Sequence, residues 1–149
     1  MKLEDEIVQK KFRRETHKLA VNLVYTFNWV DAFQQKHLKK YGITGQQFNV
    51  LRILRGQHPK PATIKLLKER MLDKMSDASR IVEKLRVKGL IDRHICPTDR
   101  RNCDVFINEK GLKLLTDIDK EEKAIDNFFS TLDETETKLL NNLLDKLRG

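Results

Sequence analysis

Between Ser76 and Asn108 the chain reads SDASRIVEKLRVKGLIDRHICPTDRRNCDVFIN, and this stretch restricts the fold more than any other. Ala78, Ile81, Val82 and Leu85 recur at helical spacing, Ser76 stands where an N-cap belongs, and Gly89 is a helix stop. The alternation Ile91, Arg93, Ile95 and the pair Val105, Ile107 predict two short strands. Between them lies a tip holding Pro97, Asp99, Arg100 and Arg101. A helix closed by glycine and followed by a hairpin with a cationic tip is the outline of a winged helix-turn-helix.

The remainder of the chain reads as helices that could surround such a unit. From about Glu6 to Lys40 apolar residues (Phe12, Leu19, Leu23, Phe27, Val30, Leu38) keep helical spacing, which predicts one long helix, broken at most once, ending at Tyr41-Gly42. Thr44-Gly45-Gln46-Gln47 has the form of a capping box opening a helix that buries Phe48, Leu51 and Leu54. Pro59 and Pro61 mark a loop, and Thr63 is the expected cap of a helix burying Ile64, Leu67 and Met71. Asp73-Lys74-Met75 turns the chain. After Gly111 the helical period returns through Leu114 or Leu115, Ile118, Ile125 and Phe128 or Phe129. A last helix is expected from Asp133, with Glu136 three residues on, through Leu140, Leu143 and Leu147. The fold class expected is therefore mainly α, with a small β-wing.

Charge is distributed unevenly. Residues 1–59 carry 11 Lys/Arg against 5 Asp/Glu, residues 60–110 carry 13 against 8, and residues 111–149 carry 6 against 9. A basic front and middle with an acidic tail fits a polyanionic partner on one side of the molecule. The opening MKLEDEIVQKKFRRE is too charged for a signal peptide. No apolar run approaches the ~18 residues of a membrane span, and two cysteines are too few for a disulfide framework. The expectation is a soluble protein of a reducing cytoplasm, with no membrane partner.

Residues near the amino end of a groove-entering helix meet base edges first, so Ser76, Ser79 and Arg80 are the candidates for reading double-stranded DNA, with Lys84 beside them. Arginine grips guanine O6 and N7 through two bonds, and serine is adaptable. Arg100 and Arg101 at the tip would reach phosphates or the minor groove, with Asp99 orienting Arg101. Taken alone, each feature also suits an ordinary solvated helix or turn. Together they favour nucleic-acid binding.

As a set, these residues resemble the multiple-antibiotic-resistance regulator (MarR) family of bacterial transcription factors. Ile43-Thr44-x-x-Gln47-Phe48-x-Val50-Leu51-x-x-Leu54 is similar to the family's signature before the helix-turn-helix. Ser79-Arg80-Ile81-Val82-x-x-Leu85-x-x-x-Gly89-Leu90-Ile91-x-Arg93 resembles its recognition helix and first wing strand. Asp99-Arg100-Arg101 and Asn108-Glu109-Lys110-Gly111 resemble its wing tip and the start of the next helix. Asn108 departs from the family's usual threonine, a change between two good caps.

The resemblance implies a homodimer on a pseudo-palindromic operator, usually a repressor, released by a small-molecule effector or by cysteine oxidation. It divides the chain into a winged DNA-binding lobe, residues 42–109, and a helical dimerisation lobe, residues 1–41 and 110–149. Tyr25, Trp29, Phe33 and His37 fall near where the family's ligand pocket would lie, although aromatics at helical spacing are more often core or interface.

His94, Cys96 and Cys103 could converge at the base of the wing as metal ligands, or the two cysteines could pair across the hairpin, making a redox or metal sensor. The spacing matches no structural zinc signature, and free thiols are the expectation. A winged-helix protein-interaction module without DNA binding is the other alternative, and the exposed arginines argue against it. No nucleotide-binding, zinc-protease or nucleophile-elbow motif is present. Neither an enzyme nor a bound cofactor or metal is expected.

Overall fold

Thr44 and Gln47 close the capping box the sequence predicts: the Thr44 hydroxyl accepts from the Gln47 amide, and the Gln47 side chain accepts from Thr44 N–H. In the computed structural model, which describes residues 1–99 and 102–149, this box opens α3 (Gly45–Gln57). Before it come a short α1 (Leu3–Glu6) and the long α2 (Glu15–Lys39). After it follow β1 (Ala62–Thr63), α4 (Ile64–Arg70), α5 (Ala78–Val87), β2 (Ile91–Ile95), β3 (Cys103–Ile107), α6 (Glu109–Asp119), α7 (Glu122–Phe129) and α8 (Glu134–Arg148).

The long amino-terminal helix starts later than its apolar spacing suggests. Val8 takes a left-handed φ of 54°, and Lys10, Lys11, Arg13 and Arg14 crowd cations where a helix N-terminus disfavours them. The first acidic residue past that cluster, Glu15, begins α2, leaving Phe12 outside it. Gly42, at φ 68°, lets the chain turn out of α2.

The core sits where α3, α4, α5, α6 and the sheet meet. Val50, Leu51 and Leu54 of α3, Leu67 of α4, Val82 and Leu85 of α5, Val105 of β3 and Leu115 of α6 are all buried. Phe48 is only half-buried and packs at the margin, its ring facing the Arg52 guanidinium at 5.7 Å. The three strands are antiparallel in the order β1-β3-β2. Arg93 pairs with Val105, and Ile95 with Cys103. The two-residue β1 pairs with β3 through Ala62 and Val105, a strand too short to leave an alternation in the sequence.

Two glycines shape the junctions between the helices and the sheet. Gly89, at φ 72°, ends the helix as expected. Gly111 is required by proximity: a Cβ there would lie 2.4 Å from the Leu90 carbonyl oxygen and 2.7 Å from Ile107 Cγ1. Asn108 caps α6 by accepting from Gly111 N–H, and its Nδ2 also donates to the Gly89 carbonyl at 2.9 Å. A threonine at this position has no amide to make that second bond.

The helix expected after Gly111 breaks at Lys120-Glu121, separating α6 from α7. At that joint the Glu121 carboxylate takes the Lys40 ammonium and the Tyr41 hydroxyl, and the His37 Nε2 lies against it. The carboxyl is held below its usual range, first by Lys40 and then by Tyr41, while the Tyr41 phenol is pushed up to about 12 by the same contact. Asp133 and Glu136 form the capping box of α8 as expected. Neither α7 nor α8 buries a residue, and Ile125, Phe129, Leu139, Leu140, Leu143 and Leu147 remain open to solvent.

Candidate nucleic-acid interface

The helix α5 is sharply two-faced. Ala78, Ile81, Val82 and Leu85 are buried, while Ser79, Arg80 and Lys84 are exposed on the outer side. The cap differs from the expected one: Asp77, one residue later than Ser76, accepts from the Arg80 N–H at 3.1 Å. Ser76 is turned inward, only 7 % exposed, and its hydroxyl accepts from Gln46 Nε2 at 3.0 Å. This corrects the placement of Ser76 among the outward-facing candidates, because a buried, bonded hydroxyl is withdrawn from a groove.

Cations on α5 and β2 fall into two sets. Glu83 takes Arg86 through two bonds, at 3.0 and 2.8 Å, and stands 3.6 Å from Arg93. Its carboxyl is held below the usual range chiefly by Arg86. Among the described residues no ion pair engages Arg80 or Lys84, so these two present uncompensated charge beside Ser79. The preceding helix, α4, exposes Lys65 and Lys68.

The wing is the β2–β3 hairpin. Its turn is closed by Cys96 N–H to the Asn102 carbonyl, Asp99 N–H to the Cys96 carbonyl and Asn102 N–H to the Asp99 carbonyl. Arg100 and Arg101 lie outside the described residues. Cys103, opposite Ile95, is buried, and its sulfur accepts from Arg93 Nε at 2.9 Å. Cys96 lies one position past the end of β2 and is only partly buried.

Both thiols are free, and the cross-hairpin disulfide is not formed. Thr98 Oγ1 contacts the Cys96 sulfur at 3.1 Å and holds its thiol below the usual range, helped by backbone N–H groups. His94 turns its ring edge-on to Phe106 instead of joining the cysteines. No group of three or more His, Cys, Asp or Glu fit to hold a metal occurs among the described residues.

The four aromatic candidates for a ligand pocket pack against helices. Trp29 and Phe33 both stack on Phe128 of α7, with centroids 4.1 and 3.9 Å apart, and His37 stacks on Phe33. The Tyr25 hydroxyl donates to Glu6 at 2.8 Å. A groove does lie nearby, about 1280 Å³, but it opens on the other side of α2, lined by Phe27, Gln34, Gln46, Phe48, Arg52 and Asp73 among others. Sequence reasoning missed these residues because they come from three separate elements.

Residues 41–102 match the family model of the MarR family. The chain is also 30% identical over 131 residues to the HTH-type transcriptional regulator MhqR of Bacillus subtilis (strain 168), covering 87% of this chain and 89% of that protein. The chain belongs to the MarR family. It is accordingly a DNA-binding transcription regulator and not an enzyme.

Solved structures agree in fold. A mutant MarR from E. coli complexed with operator DNA superposes with a TM-score of 0.74 at 23% identity, covering 99% of both chains. The organohalide-sensing regulator RdhR-CbdbA1625 in its 2,4-dichlorophenol-bound form gives 0.81 at 19% identity, covering 91% of this chain and 80% of that one. No helix of the described residues is long and apolar enough to cross a membrane.

Proposed function

We propose that this MarR-family regulator binds a pseudo-palindromic operator as a homodimer and represses transcription in a bacterial cytoplasm. One observation carries the reading. Ser79, Arg80 and Lys84 project together from the solvent side of α5, while Glu83 retains Arg86 and Arg93 at the protein surface. Arg80 in the first turn is assigned to a base edge, Lys84 to the adjoining backbone, and Arg100 and Arg101 of the wing, with Asp99 orienting Arg101, to a minor groove or its phosphates.

Residues 42–109 form the DNA-binding lobe in this reading, and residues 1–41 and 110–149 the dimerisation lobe. The open apolar side chains of α7 and α8, with Leu19, Leu23 and Val24 of α2, support the second assignment, since a second copy would cover them. The groove between α2 and α3 is the site proposed for a small-molecule effector. Its Phe27 and Phe48 rings beside Arg52 suit a small aromatic bearing a hydroxyl, the class of 2,4-dichlorophenol bound by the similar RdhR-CbdbA1625.

The test is a binding titration against an operator fragment selected from genomic DNA and a scrambled duplex, at several salt concentrations. Arg80→Ala should weaken operator binding by about 1–3 kcal/mol and flatten the preference at one position per half-site. Arg101→Ala should weaken both DNAs and lower the salt slope by roughly 0.9 for each phosphate it no longer neutralises. Equal weakening on both DNAs for Arg80→Ala, with no effect of Arg101→Ala, would overturn the assignment.

A further inference from the structure

Gln46 and Gln47 stand side by side in the first turn of α3, and each reaches a different end of the α5 segment. Gln46 Nε2 donates to Ser76 Oγ at 3.0 Å and to Asp73 Oδ2 at 3.1 Å, just before the helix begins. Gln47 Oε1 accepts from Lys88 Nζ at 2.8 Å, just after it ends, and the same ammonium donates to the Gly42 carbonyl at 2.5 Å. Gln47, 4 % exposed, and Ser76, 7 % exposed, are the only buried polar residues among those described.

The inner face of α5 between these two ends is apolar. Ala78, Ile81, Val82 and Leu85 gain from burial, but that attraction is non-directional and tolerates a small slide or roll of the helix. Base reading tolerates much less: a recognition constellation must be held to within about 0.5 Å and 10–20°. Directional bonds at both ends remove that freedom. Asp73 adds to the amino end, where its Oδ1 accepts from Met75 N–H at 2.9 Å and fixes the turn leading into Asp77.

We propose that Gln46 and Gln47 form a two-point bracket setting the axial position and roll of α5, with Gln46 the positioning residue for base discrimination. The proposal rests on α5 being the helix that reads DNA, as set out above. Gln46 is a positioning residue. It acts through Ser76, three residues from Ser79 and four from Arg80.

Exchanging the donor and the acceptor tests it. Gln46→Glu sets a carboxylate against the Asp73 carboxylate and breaks the amino-end bond. An acidic residue in the first turn favours α3 through the helix dipole, so any weakening does not come from a less stable α3. Adding Asp73→Asn restores a complementary pair: the new amide at position 73 donates to the new carboxylate at position 46, while its oxygen still accepts from Met75 N–H. Two readouts are taken, with thermal unfolding as a check on folding. One is the ratio of affinities for the selected operator fragment and a scrambled duplex. The other is amide exchange at Arg80 and Ile81 in the DNA-free protein.

Gln46→Glu should cut the affinity ratio roughly tenfold, leave the salt slope unchanged because every phosphate partner is retained, and speed exchange at both amides. The double variant should recover both readouts. Lys88→Met, which releases the other end, should speed exchange of the amides at positions 88 and 89. Unchanged exchange and ratio in Gln46→Glu, or no recovery in the double variant, would overturn the bracket. If exchange responds as expected while the wild-type protein binds both DNAs equally, the bracket stands and the assignment of α5 as the reading helix fails.

Discussion

Replacing Gly111 by alanine sets two effects of opposite sign against each other. Gly111 lies in the first turns of α6, and exchanging a helical glycine for alanine would by itself stabilise the protein by about 1 kcal/mol. The added Cβ, however, would stand 2.4 Å from the Leu90 carbonyl oxygen and 2.7 Å from Ile107 Cγ1. Carbon atoms pack comfortably at about 3.5–4.0 Å, so α6 must move roughly 1 Å away from the start of β2 and the end of β3.

The main obstacle is backbone and cannot rotate aside. The same carbonyl accepts from Asn108 N–H at 3.3 Å, so the shift also strains the entry to α6. Overpacking of this kind costs about 1–3 kcal/mol, and a backbone obstacle places it at the upper end. Subtracting the propensity gain leaves a net loss of about 2 kcal/mol, or a Tm lower by about 4–8 °C for a chain of this size. Calorimetry at matched protein concentration measures it, matched because self-association would itself raise Tm. A Tm equal to or above that of the wild type would mean that the added Cβ is accommodated without cost.

Three further outcomes are expected. Sedimentation at micromolar concentration should give a mass near twice the chain's 17.6 kDa, and a clean monomer would remove both the dimer and the palindromic operator. Replacing Cys96 and Cys103 together by serine should leave operator affinity unchanged before and after peroxide; a peroxide response present in the wild type and absent in the variant would reinstate a thiol switch. Glu121→Gln should lower the denaturant midpoint at pH 7. Because the folded carboxyl is held below the usual range, its stabilisation is full above about pH 4.3 and is lost as pH falls through the folded value. The gap between the two proteins should therefore close in acid, and a gap as wide at pH 2.5 as at pH 7 would contradict the role given to that carboxylate.

Much of the fold is written in short-range signals. The caps at Thr44, Thr63, Asn108 and Asp133 each involve a residue and its third neighbour, and all four form. Gly89 and the alternating strand residues are equally local. What escaped the sequence depends on contacts between distant segments. Ser76 and Asp77 are both good caps, and the choice between them accompanies a bond from Gln46, thirty positions away. β1 exists only because β3 passes beside it. The aromatic stripe of α2 gave no sign that Phe128 would fill it, nor that the open groove would form on the opposite side.

The carboxylate at the α6–α7 joint has a mechanical consequence. α2, with 25 residues, is about 37 Å long, and Glu121 fastens the end of that rod beside the winged lobe. A swivel of about 10° at such a joint becomes a displacement of roughly 6 Å one rod length away, close to two steps of 3.4 Å along a DNA strand. A fastening that slackens by a fraction of a bond length thus acts through a long lever. In a two-armed assembly, the reach between the arms would then be governed at the joint between α6 and α7, away from α5.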